Sequence, residues 1–429
     1  MANSDSEEIS TPVILSKIVE KLPDNLWVRV SELIKTYQPV NLASGYPDFH
    51  EVVPQVLKEA LVSTQQGNVP SHYNQYPRSQ GHPLLTQELA TLYSDVLRRT
   101  VDPQNEVLIT VGADEALVSI IRATVNFGEE VIILEPFYTL YQEAVIMCGG
   151  IAKFVPLKLK TGGTCGNDFV FDEEELKAAF TPKTKAIIVN SPHNPTGKIF
   201  TLNELSFIAD LCKKHNSLFI SDEVYERLYY DDADVSSDGE KLSIRIASIP
   251  GMWERSVTIG SAGKSFGVTG WKVGWMIGPK YLISAAQAIH VSTVFCVAGP
   301  LQIALAAVLK EEKEKLTSVD SYWHNVRSML TKKRNRLYQL LTDIGLKPIL
   351  PQGGYFMLAD VSGIHTEEEG LRDVAFVEWL IKEKGVAAIP VSSFCSSSNQ
   401  CDNFVRFCFI KADETLDAAA EKMKSLTTS

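Results

Sequence analysis

Residues 106–136 read "EVLITVGADEALVSIIRATVNFGEEVIILEP". "EVLITVG" (106–112) is an apolar run of strand length. "ADEALVSIIRATVNFG" (113–128) carries apolar residues at helical spacing and stops at Gly128, and "EVIILEP" (130–136) is a second strand broken by Pro136. Further strand candidates follow at "TKAIIVNSP" (184–192), "LFISDEVY" (218–225), "SVTIGSAG" (256–263) and "VGWMIGP" (273–279). Helical patterns such as "LNELSFIADLCKKHN" (202–216) fill the gaps. Strands alternating with helices predict an α/β fold around a mainly parallel, doubly wound sheet. Past residue 330 the character changes. A long helix (327–345) precedes "QGGYFMLAD" and "NFVRFCFI", which predicts a second, smaller α+β lobe.

The bulk numbers allow a sizeable core. The chain has 429 residues, 45% hydrophobic and 22% charged, with formal net charge −11. It has no basic block, which argues against nucleic acid as a partner, and no apolar run of transmembrane length, which argues against a membrane. "MANSDSEEIS" has neither an apolar signal core nor an arginine-rich amphipathic stretch, so the expected location is cytoplasmic. The seven cysteines are scattered without a CxxC pair, and reduced thiols are the expectation. Cys395, Cys401 and Cys408 are too widely spaced for a zinc knuckle, and no metal is expected. The biased stretches "DDADVSSDGE" (231–240) and "SSFCSSSNQ" (392–400) read, with the acidic start, as surface loops or a mobile tail.

Open parallel sheets bind ligands beyond the carboxyl ends of their strands, so the residues that follow each apolar run matter most. Strand 106–112 turns straight into a helix at "GADEA", whose N-terminus suits a phosphate; an acidic helix start, with Asp114 and Glu115 meeting the dipole, is the plain structural alternative. Asn194 stands before Pro195, as in an ordinary turn. Asp222 directly follows "LFIS", where a buried carboxylate needs a cation or donors, or simply caps a helix. Lys264 sits among small residues in "SAGKS", either a solvated loop lysine or an amine whose pKa is lowered for attack on an aldehyde. Arg406, between Val405 and Phe407, either points outward from an edge strand or clamps a carboxylate in a fork. Together these residues describe a phosphate cradle, a buried Asp, a Schiff-base lysine and a carboxylate clamp, the set that pyridoxal 5'-phosphate chemistry requires.

In these motifs the chain resembles the class I (fold type I) pyridoxal-phosphate-dependent aminotransferases, and within them the kynurenine aminotransferase, glutamine transaminase K and cysteine-S-conjugate β-lyase group. The resemblance runs from about Trp27 to Phe409 through "NLASGYPDF", "NQYPRSQGHP", "VGADEAL", "EPFYTLY", "NSPHNPTGK", "SDEVYE", "SAGKSFGVTGWKVGW", "PQGGYF" and "FVRFCF". It implies a large cofactor-binding domain (51–330) with a seven-stranded, mainly parallel sheet in a three-layer sandwich. It also implies a small α+β domain (33–50 and 331–429), an N-terminal arm (1–32) and a homodimer with shared active sites.

The resemblance further implies the roles of single residues. Lys264 bonds the cofactor aldehyde, Asp222 pairs with its pyridine nitrogen, and Asn194 and Tyr225 contact its O3′. Tyr138 stacks on the ring. The backbone of Gly112, Ala113 and Asp114, with Ser261 and Lys272, holds the phosphate, joined by Tyr76 from the neighbouring subunit. Arg406 clamps the substrate α-carboxylate with help from Asn194 and the Gly45 backbone. Trp27, Tyr76 and Phe295 line the side-chain pocket, Phe295 again crossing from the partner. Asp114 stands where relatives often carry an aromatic residue, Ser44 where glutamine is common, Cys296 where histidine is common and Tyr138 where phenylalanine is common.

The implied activity is ping-pong transfer of an amino group from a large uncharged or aromatic amino acid (kynurenine, glutamine, methionine, phenylalanine) to a 2-oxo acid. No second arginine marks a pocket for a side-chain carboxylate, which ranks aspartate lower. Cysteine-S-conjugate β-lyase chemistry in the same site is the alternative. A catalytically silent, cofactor-binding regulatory protein is a remote one.

Overall fold

The computed structural model describes residues 16–23, 26–64, 70–230, 245–316, 318–364, 370–396 and 401–424. Among its helices are α1 (Leu26–Tyr37), α2 (Gly112–Thr124), α3 (Leu202–His215), α4 (Lys280–Thr293), α5 (Gly299–Glu314) and α6 (Tyr322–Asp343). The six expected strands become β1 (Val107–Thr110), β2 (Glu130–Glu135), β4 (Thr184–Asn190), β5 (Leu218–Asp222), β6 (Ser256–Ser261) and β7 (Gly274–Ile277), and a seventh, β3 (Ile151–Pro156), joins them. They form one sheet in the order β1-β7-β6-β5-β4-β2-β3. Every neighbouring pair is parallel except those of β7, which runs antiparallel to both β1 and β6. β3 gives no strand signal in the sequence because it is an edge strand, mostly exposed or half-buried, rather than a continuous apolar run.

Burial on both faces explains the unbroken apolar runs of the inner strands. In β1, Val107 and Ile109 pack with Trp275 and Leu305 on one side, while Leu108 packs with Ile120 and Ile133 on the other. In β2, Ile132 and Leu134 face one core and Val131 and Ile133 another. α2 starts one residue earlier than its pattern and ends at Thr124, because Val125 leaves the helix for an extended conformation and buries its side chain. Gly128, at φ 80°, serves the turn into β2 instead.

A second sheet of four antiparallel strands follows α6: β8 (Lys347–Ile349), β9 (Phe356–Asp360), β10 (Ile389–Pro390) and β11 (Phe404–Cys408), in the order β8-β9-β11-β10. β11 is interior in this sheet, so Arg406 does not point outward from an edge; it is 2% exposed.

Two expectations need correction. Cys395 and Cys401 are joined in a disulfide with a Cα–Cα separation of 6.8 Å, which leaves Cys148, Cys165, Cys212, Cys296 and Cys408 as free thiols. Their six-residue spacing carries no CxxC signal, yet the chain folds back within bridging distance. Within 392–400, Ser392 and Phe394 are buried rather than part of a surface loop, because Phe394 packs edge-to-face on Trp27. Residues 397–400, the stretch 231–240 and the acidic start lie outside the described residues. Among the described residues no helix is long and apolar enough to cross a membrane, and no cluster of three or more ligating side chains could hold a metal ion.

Candidate active site

The parallel strands place their carboxyl ends along one edge of the large sheet. β1 leads into the N-terminus of α2, β4 into Asn190 and Asn194, and β5 ends in Asp222. β6 ends in Ser261 and runs into a helical turn (Ala262–Ser265) that carries Lys264. β7 runs the other way and pairs Gly274 with both Thr110 and Ser261, which brings Lys272, two residues before it, to the same edge. Arg406 reaches this edge from β11 and Trp27 from α1. These side chains, with Gly45, Tyr138, Tyr225 and Phe356, wall a cavity of about 250 Å³.

Asp222 is 4% exposed. Its Oδ2 accepts from the Tyr141 hydroxyl at 2.5 Å and its Oδ1 from the Val224 N–H at 3.2 Å. Burial nevertheless pushes its carboxyl up to about 6, against the lowering effect of these donors and of Lys264. Lys264 shows the reverse shift. Burial brings its ammonium down to about 8, and the positive charges of Arg406 and Lys272 act in the same direction. Its Nζ donates to the Gly45 carbonyl at 3.3 Å, and the Tyr355 hydroxyl donates to the same oxygen at 2.9 Å. The Gly45 backbone therefore contacts the lysine. Tyr225 stands edge-on to Tyr355, with ring centroids 5.2 Å apart, and burial raises its phenol pKa.

Arg406 donates from Nη1 to Asn194 Oδ1 at 2.8 Å and from Nη2 to the Ala43 carbonyl at 3.3 Å, whereas its Nε has no acceptor. Its guanidinium lies 3.9 Å from the Phe356 ring centroid, 4.8 Å from that of Phe394 and 5.3 Å from that of Trp27. Asn194 is fixed in turn by Asn190, whose Oδ1 accepts from the Asn194 N–H at 2.7 Å while its Nδ2 donates to the Asp222 carbonyl at 2.9 Å. This chain of contacts ties the arginine to the aspartate across the sheet edge.

At the other end, Gly112 opens α2 at φ 73°. A Cβ on Gly274 would lie 2.5 Å from the Gly112 carbonyl carbon and 2.7 Å from the Ala113 nitrogen, so α2 and β7 approach this closely only through glycine. Lys272 Nζ meets Asp114 Oδ2 at 2.6 Å, and the Tyr138 hydroxyl donates to Asp114 Oδ1 at 3.3 Å. Glu115 turns the other way. It accepts from the Val111 N–H at 3.1 Å and pairs with His290 of α4 at 3.0 Å.

Tyr76 and Phe295 do not enter this cavity. They meet each other edge-to-face at 5.3 Å on the surface, 82% and 49% exposed.

A family model described as aminotransferase class I and II matches residues 37–423. The chain belongs to the class I and II aminotransferases. Kynurenine–oxoglutarate transaminase 3 of Mus musculus is 44% identical over 416 residues, which cover 95% of this chain and 89% of the relative. The Homo sapiens protein of the same name is 42% identical and covers 98% and 92%. Among solved structures, N-succinyldiaminopimelate aminotransferase from Mycobacterium tuberculosis superposes with TM-score 0.85 at 34% identity, covering 96% of this chain and 100% of that one. YbdL from Escherichia coli, identified as a methionine aminotransferase, gives TM-score 0.84 at 30% identity with the same coverage. The fold is that of the fold type I aminotransferases, and these are pyridoxal-phosphate enzymes.

The walls of this aminotransferase cavity suit that cofactor. Asp222, buried and pushed up to about 6, is short of the cation that a protonated ring nitrogen supplies. Lys264 is the amine for an aldehyde. The first N–H groups of α2, the glycine approach at Gly274 and Lys272 suit a phosphate. The unmatched Nε of Arg406 suits a carboxylate. Sequence reasoning missed Tyr141, Asn190, Tyr355 and Phe356.

Proposed function

We propose that this chain is a pyridoxal-phosphate-dependent transaminase that moves the amino group of a large uncharged or aromatic L-amino acid to a 2-oxo acid in two half-reactions. The observation that carries this reading is the convergence of Lys264, Asp222 and Arg406 in one cavity. Bound there, pyridoxal phosphate supplies the aldehyde that takes up the amino group and the ring that draws electrons from the substrate Cα.

The chain's own residues do the rest. Arg406 binds the substrate α-carboxylate through its fork while Asn194 holds the guanidinium in plane. Lys264 Nζ, brought down to about 8 by burial, takes the Cα proton in its neutral form, which becomes the major one above about pH 8, and then gives that proton back to complete the transfer. Asp222, anchored by Tyr141 and Val224, holds negative charge where the ring nitrogen carries its proton. Tyr225 and Asn194, both on the cavity wall, would contact the cofactor's O3′. Trp27 and Phe356 shield the arginine from water and offer apolar surface to a large side chain. We also place Tyr76 and Phe295 across a dimer interface, each completing the partner's site, because both rings stand exposed at the surface and line nothing in their own cavity.

Initial rates with the amino acid varied at several fixed 2-oxo acid concentrations test the two-step scheme. Parallel double-reciprocal lines are expected, and lines meeting to the left of the axis contradict it. Faster turnover with aspartate than with phenylalanine, glutamine or kynurenine would overturn the substrate class.

A further inference from the structure

Asp114 is a carboxylate at the place where the site must accept an anion. It sits in the first turn of α2 with its side chain aimed across at β7. Oδ2 accepts from Lys272 Nζ at 2.6 Å and Oδ1 accepts from the Tyr138 hydroxyl at 3.3 Å. All three residues line the cavity. An acid in the first turn favours the helix dipole, but Glu115 already serves that end by capping the Val111 N–H. Asp114 is therefore redundant for the helix and specific toward the lysine. Lys272 is held there by its own backbone, at φ 49°, a left-handed conformation uncommon for lysine. Its Cε and Nζ lie 3.1 Å from where a Cβ on Gly112 would stand, so its ammonium faces the start of α2.

One ammonium cannot fully neutralise two anions held within a few ångströms of it. Resting on the cofactor reading above, we propose that Asp114 competes with the cofactor phosphate for Lys272 and sets how tightly this chain holds its cofactor. The phosphate meets a lysine whose charge is shared, next to a carboxylate that repels it. A neutral residue at position 114 that still accepts from Tyr138 gives a tighter site. Asp114 thus acts on loading and exchange of the cofactor, through Lys272.

Equilibrium dissociation constants for pyridoxal phosphate and for phosphate-free pyridoxal, followed by absorbance and protein fluorescence, test this in the wild type, Asp114→Asn, Asp114→Ser and Lys272→Ala. Asp114→Asn and Asp114→Ser are expected to tighten pyridoxal phosphate by about twofold to fivefold, the scale of a half-exposed ion pair, and to leave pyridoxal unchanged. Unchanged or weaker phosphate-ester binding in both variants overturns the proposal. So does equal tightening of both ligands, which removes the phosphate from the explanation. Lys272→Ala separates the two levels: it must weaken pyridoxal phosphate, and if it does not, the phosphate assignment itself fails. A wild type that binds no pyridoxal phosphate overturns the cofactor reading. Melting curves without cofactor report a purely structural role, which lowers the melting temperature and moves neither constant.

Discussion

The Tyr141 hydroxyl donates to Asp222 Oδ2 at 2.5 Å, deep in the interior, between residues 81 positions apart in sequence. A buried carboxyl already raised to about 6 depends on each such donor to stay ionised at neutral pH. Tyr141→Phe removes one of its two short contacts and leaves the Val224 N–H. A hydrogen bond to a charged group contributes about 1.5 kcal/mol, or about one pH unit. The acid limb of the kcat/KM profile is expected to move up by about that amount. A limb that stays in place shows that Tyr141 does not tune the aspartate.

Arg406 engages Asn194 and Ala43 with its two Nη groups and keeps Nε free, so its fork is oriented before a carboxylate arrives. Losing one partner of a buried charge pair is expected to lower kcat/KM by about 2–5 kcal/mol in Arg406→Gln, for every amino acid tested. Arg406→Lys is expected to recover little, because a point charge cannot reproduce the planar fork. Unchanged KM across the amino acids contradicts the clamp.

Lys264 titrates near 8 in the folded chain and at its ordinary 10.5 when unfolded. Between these values the unfolded chain binds more protons, so this group makes the cofactor-free protein more stable as pH rises from about 8 toward 10.5. Denaturant titrations across that window are expected to show the rise in wild type and a flatter profile in Lys264→Met. The amine that attacks an aldehyde is the neutral one. Cofactor loading is thus expected to accelerate roughly tenfold per pH unit below about 8 and then level off. A pH-independent rate contradicts the lowered lysine.

Trp27 packs edge-to-face on Phe394 at 6.5 Å, and its ring lies 5.3 Å from the Arg406 guanidinium. Trp27→Ala is expected to raise KM for aromatic amino acids by about tenfold with a small change in kcat, the pattern of lost uniform binding. A lowered kcat at constant KM places Trp27 in the chemistry instead.

Asp222 and Lys264 were legible because each follows an apolar run at a strand end, and Arg406 because it interrupts one in mid-strand; in either place a charge must be paired or used. The alternation around residues 106–136 carried the large sheet for a similar reason: strands buried on both faces read as continuous apolar segments. What was lost had no local signal. Tyr141 reads as core from its own helix, and only the fold brings Asp222 to it. Asn190 is one polar residue at the end of β4, and its Nδ2 reaches the Asp222 carbonyl only through the fold. β3, at the sheet edge, lacks the buried pattern. Phe394 hides in a serine-rich stretch although it packs beside Arg406. Asp114 was legible as an oddity, but its partner Lys272 lies 158 residues away.

The most direct measurement mixes the cofactor-loaded protein with one amino acid, phenylalanine or glutamine, in the absence of any 2-oxo acid. The expected result is loss of the visible cofactor band, growth of the pyridoxamine band, and release of one equivalent of the matching 2-oxo acid per site, with no further turnover until a 2-oxo acid is added. A visible band that persists with every amino acid, or that persists while β-substituted substrates yield pyruvate and ammonia continuously, contradicts transamination as the activity of this site.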